Sequence, residues 1–235
     1  MTGVSGPEES FDRPGVTSPV ERGLLTLIPP GALAHFLRDT FRVLTRPVGD
    51  RALLAEVAGA AQALSLALWA RGRISADDIV PAACTVLFDG CSPAAVAEQL
   101  VSWEPGDEAG SGELVEIRLS YDGPDLDAIA EKLGLAVDEL VDAHTSTEHV
   151  VAFCGFAPGF SYLTGSPWQV PRLSTPRARV EPGSVGLAGP FTGIYPTASP
   201  GGWRIIGRTD AALWDATREE PALLPPGTRV RFVST

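Results

Sequence analysis

The sequence predicts an α+β protein built from two unlike halves, and three observations carry that prediction. Residues 41–148 alternate runs of strand and helix character, with glycines where helices should stop. Residues 151–235 hold 11 glycines and 11 prolines in 85 positions, so that Arg208–Glu220 is the longest stretch free of both. Long helices do not survive such punctuation, whereas short strands between turns do. Charge divides at the same place: residues 1–150 carry 24 acids and 10 bases, residues 151–235 carry 5 acids and 8 bases, and all 8 are arginines. The chain is therefore divided into an extension over 1–40, an α+β domain over 41–148 and a β-rich domain over 149–235. A closed barrel is expected for the last, because closure hides strand edges.

Each element follows from its local chemistry. Glycine, proline, serine and charge dominate the first 22 positions, as in a flexible tail. Leu24–Ile28 and Ala32–Leu37 are apolar enough for a short docked strand or helix. Arg51–Val57 suits a strand, with helix as the alternative allowed by its Ala and Leu content. Ala58–Arg71 is rich in Ala and Leu at helical spacing, and Gly72 can stop it. Ile79–Phe88 reads as one strand from its β-branched and aromatic residues. Ser92 can cap a helix running through Trp103, with Pro93 at its first position. Glu104–Gly112 is an acidic loop, and Leu114–Leu119 alternates like a half-buried strand. Asp125–Leu133 and Val137–Ala143 read as helices, the first ended by Gly134. Beyond them, Val150–Phe153, Val185–Ala188, Trp203–Ile206 and Arg229–Val233 suit strands.

Composition excludes several classes of function. Net charge is −11, which argues against a general nucleic-acid binder. No run of about 18 apolar residues is present, and the first residues lack the basic-then-apolar order of a secretory signal. Cys84, Cys91 and Cys154 are odd in number and form no CxxC pair, so neither a disulfide framework nor a zinc site is expected. A reducing cytoplasm suits them. With three histidines in all, no metal ligand set is expected. The sole lysine, Lys132, sits in an expected helix, so there is no phosphate-cradling P-loop. If ATP is used, another chain supplies part of its site.

The most informative stretch runs from Val151 to Thr209. It contains Phe153-Cys-Gly-Phe-Ala-Pro-Gly-Phe-Ser-Tyr-Leu163, Pro182-Gly183-Ser184, Thr192-Gly-Ile-Tyr-Pro196 and Pro200-Gly-Gly-Trp-Arg-Ile-Ile-Gly-Arg-Thr209. Glycine admits close backbone approach and proline stiffens, so aromatic residues set among them point to rigid loops around a pocket or interface. Tyr195 and Trp203 are as suited to a pocket wall as to a core. Arginine suits bidentate recognition of carboxylate or phosphate. Ser184 reads better as a turn serine than as a nucleophile, and Cys154 better as a buried structural thiol. His144, ending a helix, is a C-terminal cap or an acid/base group. Asp125, after Pro124, is a helix N-cap or a functional carboxylate.

Taken with Val48-Gly-Asp-Arg-Ala-Leu-Leu54, Val80-Pro-Ala-Ala-Cys-Thr-Val86, Tyr121-Asp-Gly-Pro-Asp-Leu126 and His144, this stretch resembles the family of carboxyltransferase-type subunits known as allophanate hydrolase subunit 1 (carboxyltransferase domain, subdomains C and D). That family includes the B subunit of ATP-dependent 5-oxoprolinase and a sporulation-kinase inhibitor. The resemblance covers about Arg42 to Val233. It implies a ferredoxin-like N-terminal domain followed by a cyclophilin-like β-barrel. It implies a partner, the family's second subunit with a related barrel, and in the 5-oxoprolinase reading a third subunit that handles 5-oxoproline. The overall reaction opens that lactam to L-glutamate at the expense of ATP. By resemblance, Arg177 and Arg208 stabilise charge while His144 and Asp125 move or orient protons, and Arg172, Ser184, Tyr195, Gly201, Gly202 and Trp203 line the substrate or nucleotide site. ATP would bind at a composite site shared with the partner subunits. The family often carries Gln where this chain has Phe191.

Three functions compete. The leading one is a subunit of a multisubunit ATP-dependent amidohydrolase of the 5-oxoprolinase type, whose isolated chain is inactive. The others are an allophanate hydrolase or urea carboxylase type of subunit and a non-enzymatic histidine-kinase inhibitor.

Overall fold

In the computed structural model, residues 43–106 and 112–235 are described. The expected elements of residues 1–40 lie outside them, as does much of the acidic loop. The chain first folds back on itself as β1 (Leu44–Val48) and β2 (Ala52–Glu56), followed by α1 (Ala60–Ala70), a second hairpin of β3 (Asp78–Pro81) and β4 (Thr85–Asp89), and α2 (Pro93–Leu100). The antiparallel sheet runs in the order β1-β2-β4-β3. Pro47 is accommodated because β1 is an edge strand. The run Ile79–Phe88, expected as one strand, is two. It breaks after Pro81, where Ala82 N–H turns back to the Thr85 carbonyl at 2.8 Å. Leu53, Ala55, Leu66, Val86, Phe88 and Trp103 form the core of this part. A ferredoxin-like domain runs β-α-β-β-α-β; the order here is β-β-α-β-β-α, which does not confirm that expectation.

The next strand, β5 (Leu114–Leu119), leaves for another sheet. It is followed by α3 (Leu126–Leu133), ended by Gly134 in the left-handed conformation at φ 69°, and by α4 (Val137–Ser146). Then come β6 (His149–Cys154), β7 (Ser161–Thr164), β8 (Arg177–Val180), β9 (Ser184–Ala188), β10 (Phe191–Ile194), β11 (Ser199–Gly201), β12 (Arg204–Arg208) and β13 (Arg229–Ser234). Seven strands form one sheet in the order β12-β9-β10-β7-β6-β13-β5, with β5 parallel to β13. Its two edges meet: Ser120 and Arg208 exchange both backbone hydrogen bonds at 2.9 Å. The sheet thus curls into a nearly closed barrel. The remaining strands, β8 and β11, pair separately as a small flap.

Val151, Leu163, Val185, Leu187, Ile194, Ile206 and Phe232 alternate inward and fill the barrel, joined by Ile117, Leu119, Ile129 and Leu140. β5, α3 and α4 therefore share the barrel's core. Two buried clusters are distinct: one draws on residues from Leu53 to Trp103, the other on residues from Ile117 to Phe232. Among the described residues, no helix is long and apolar enough to cross a membrane.

Candidate active site on the outer face of the barrel

The residues that alternate outward from β7, β10, β9 and β12 do not face open solvent. In one row across the sheet lie Phe153, Tyr162, Gly193, Gly186 and Ile205. The two glycines leave a trough, and aromatic rings occupy it. A Cβ at Gly193 would stand 2.7 Å from Trp203 Cζ3 and 3.0 Å from Phe160 Cζ. A Cβ at Gly186 would stand 3.1 Å from Trp203 Cβ. Phe160, Val180, Ala188, Tyr195, Trp203 and Ile205 thereby form a second small core outside the barrel. β9 is buried along its whole length because both its faces are covered. The rings meet mostly edge to face, Phe160 against Tyr195 at 5.2 Å and against Trp203 at 5.5 Å.

Around this layer stand the polar groups. Arg172 places its guanidinium 6.0 Å from the Trp203 ring centroid. Arg177, on the β8 flap, donates Nη2–H to Asp125 Oδ1 at 2.8 Å and Nη1–H to the Trp203 carbonyl at 3.3 Å. Asp125 Oδ2 accepts the Ile205 N–H at 2.6 Å, so one buried carboxylate ties β12 to the flap. Asp125 precedes α3, but its side chain makes no capping bond. Asp125 thus stands at the N-cap of α3 by position, its carbonyl accepting the Ile129 N–H, while its carboxylate bridges elsewhere. Gly123 explains how the loop gets there: any side chain would strike the backbone of Ile205 and Ile206. Gly201 lies directly beneath the Tyr195 hydroxyl, where a Cβ would collide. Gly202 accepts the Leu173 N–H at 2.8 Å, which holds the Arg172 loop against the flap. Burial raises the Tyr195 phenol, partly offset by the Trp203 backbone and by Arg172.

The structure brings together Asp125, Arg172, Arg177, Tyr195, Gly201, Gly202 and Trp203, leaves His144 and Arg208 apart, and joins Ser184 to Tyr195 through its backbone alone. His144 is fully buried. Its Nδ1 lies 2.7 Å from the Tyr121 hydroxyl, its Nε2 lies 3.4 Å from Thr192 Oγ1, and its ring stacks on Phe232 at 4.6 Å. His149 Nε2–H donates to the His144 carbonyl at 3.3 Å. Burial drives the His144 pKa well down, and nearby His149 adds to this. Its side chain thus faces Tyr121, Thr192 and Phe232 inside the barrel rather than the outer aromatic layer. Arg208 lies at the barrel seam, 73% exposed, paired with Asp122 at 2.8 Å. Ser184 is buried at the start of β9; its carbonyl accepts the Tyr195 N–H at 2.9 Å, and among the described residues no base contacts its hydroxyl. Cys154 is half-buried, with its thiol pKa raised by burial, as a structural cysteine should be.

Sequence reasoning passed over the packing partners Phe153, Phe160 and Phe191. Their signal was present as strand alternation, but it shows only once the neighbouring strands are known. A cleft of about 370 Å³ elsewhere, bordered by Leu68, Glu113 and Gly227, shares no residue with the aromatic layer. Among the described residues, no cluster of His, Cys, Asp and Glu is arranged to hold a metal ion.

The family described as carboxyltransferase domain, subdomain C and D, matches residues 43–224. The chain belongs to that family. The B subunit of 5-oxoprolinase from Escherichia coli O157:H7 is 48% identical over 143 residues, 58% of this chain and 66% of that protein. The corresponding B subunit from Bacillus subtilis is 45% identical over 125 residues, 51% of this chain and 52% of that one. The matched segments thus span between half and two thirds of these curated relatives. Among solved structures, TTHA0988 is 34% identical with a TM-score of 0.64, covering 79% of this chain and 40% of that one. The urea amidolyase of K. lactis has the same TM-score, 0.64, at 18% identity, covering 82% of this chain and 15% of that one. At that identity it speaks for the fold alone.

Proposed function

We propose that this family member acts as the B-type subunit of an ATP-dependent 5-oxoprolinase, opening 5-oxoproline to L-glutamate. The observation that carries the reading is the 48% identity to a curated 5-oxoprolinase B subunit. The geometry of the outer face supports it. A lactam is a poor electrophile, and ATP supplies the driving force by activating it. The protein's part is to bind, orient and stabilise negative charge away from water.

Arg172 and Arg177 offer that charge stabilisation. Asp125 holds Arg177 in one orientation, and the aromatic layer provides a wall from which water is excluded. With no lysine-bearing glycine loop in the chain, the phosphates of ATP would rest on Arg177 together with groups from other subunits. A second subunit with a related barrel and a third that handles 5-oxoproline complete the assembly in this reading. The isolated chain would then be inactive, and its three free thiols suit the reducing cytoplasm.

The test is ATP hydrolysis dependent on 5-oxo-L-proline, measured for the chain alone and with its candidate partner subunits. Turnover only in the mixture is the expected outcome. A stable assembly that does not respond to 5-oxoproline would overturn the reading.

A further inference from the structure

Tyr162 projects outward from β7, opposite Phe153 on one side and Gly193 on the other. Its ring is enclosed by four others. Phe153 stacks on it at 4.3 Å and 15°. Phe160 lies at 5.0 Å, Trp203 at 5.5 Å and Phe191 at 5.9 Å. A ring held on so many sides has no freedom to redirect its tip. Yet among the described residues no protein group forms a hydrogen bond with the Tyr162 hydroxyl. Tyr121, by contrast, engages His144. Tyr162 is only half-buried and its hydroxyl is not sealed in, so the rings present an immobilised donor that a ligand can reach from solvent.

The neighbourhood identifies the chemistry of that partner. Arg172 lies over Trp203, the same ring that edges Tyr162. Burial raises the phenol and Arg172 opposes the rise, so the group is a protonated donor at neutral pH within reach of the guanidinium's field. A cation and a neutral donor beside an apolar aromatic wall match a carboxylate carried on a small, largely apolar body.

We propose that Tyr162 is a further substrate-binding residue, its hydroxyl donating to the carboxylate of a compact cyclic amide whose charge is met by Arg172. This rests on the function proposed above. Phe191 and Phe153 act through Tyr162 by fixing its ring.

The test is Tyr162→Phe, which keeps the ring and removes only the hydroxyl. Binding of 5-oxo-L-proline to the assembled complex is measured by calorimetry, with steady-state turnover in parallel. Losing one hydrogen bond to a charged group should raise Kd and KM for 5-oxoproline about tenfold or more, with kcat within about threefold and KM for ATP unchanged. An unchanged Kd in the variant, with the unsubstituted complex active, would overturn the role of Tyr162 alone. A raised KM for ATP instead would overturn the carboxylate assignment. If the unsubstituted complex neither binds nor turns over 5-oxoproline, the underlying function fails and the proposal with it. Because ring packing is kept, an unchanged melting temperature separates lost binding from misfolding.

Discussion

Asp125 shows how much one side chain can hold. Its two carboxylate oxygens serve different partners, the Ile205 amide and the Arg177 guanidinium. Neither partner is close in sequence, so the pairing joins α3, β12 and the β8 flap. Removing it leaves a partly buried arginine and a buried amide without their acceptor. Asp125→Ala should cost about 2–3 kcal/mol, since unpaired buried polar groups are expensive. That corresponds to a fall in Tm of roughly 5–10 °C for a domain of this size. Asp125→Asn, which still accepts from Ile205, should lose less. Equal losses for both variants in thermal unfolding would show that the Ile205 hydrogen bond adds nothing beside the ion pair. Arg208, by contrast, sits in solvent with Asp122, where such pairs are worth about 1 kcal/mol at most.

At the scale of elements, the outer aromatic layer depends on glycine in two neighbouring strands. Gly193 carries no left-handed backbone requirement, so space alone forbids a side chain there. Gly193→Ala would push against the Trp203 and Phe160 rings. Overpacking of this kind costs about 1–3 kcal/mol. Trp203 should move toward solvent, seen as a red shift in tryptophan emission, and KM for the substrate should rise as the Tyr162 box loosens. An unshifted spectrum with normal stability would mean that the trough does not position Trp203. Phe156, next to this layer, is exposed and adopts φ 72°, the one non-glycine residue with positive φ among those described. Such conformations persist only where surrounding structure imposes them.

For the whole molecule, the barrel is sealed by two backbone hydrogen bonds at Ser120 and Arg208 and filled by side chains rather than open. Two histidines are part of that filling. Both His144 and His149 have pKa values lowered by burial. Their unfolded values lie near 6.5, so below that pH the unfolded chain binds protons that the folded chain refuses. The stability from neutral imidazoles is therefore complete above about pH 6.5 and is lost as pH falls toward the lowered folded values. Each histidine contributes up to about 1.4 kcal/mol per pH unit in that window. The urea midpoint should drop between about pH 7.5 and about pH 5. His144→Asn, which cannot take up a proton, should flatten the decline. A decline of undiminished slope in that variant would assign it to other groups.

Much of this architecture is legible in local chemistry. Helix α1 follows from Ala and Leu at helical spacing, and Gly72 and Gly134, both at left-handed φ, stand where stops are expected. β9, β12 and β13 follow from β-branched runs between turns. Ser92 is legible as the start of α2, although its side chain makes no capping bond and the helix ends at Leu100 rather than Trp103. β1, β7, β8, β10 and β11 are absent from the strands that the sequence predicts. They are short, β1, β10 and β11 contain glycine or proline, and pairing rather than propensity holds them. The stretch Arg208–Glu220 has room for a helix, yet it forms none, and Trp214 bridges to Ala222 instead.

What the sequence determined by itself was therefore whatever depends on neighbours along the chain: the two-part composition, the main helices, the glycine stops and the family. What only the tertiary structure decided was which face each strand presents and which distant groups meet. Alternation along β10 cannot say whether its outward Gly193 is wet or covered, because the cover comes from Phe160 and Trp203, which lie beside other strands. His144 and Asp125 look alike in sequence as helix-end polar residues. Packing sealed the first inside the barrel and set the second beside Arg177, because burial and pairing are properties of the assembled fold rather than of the residue.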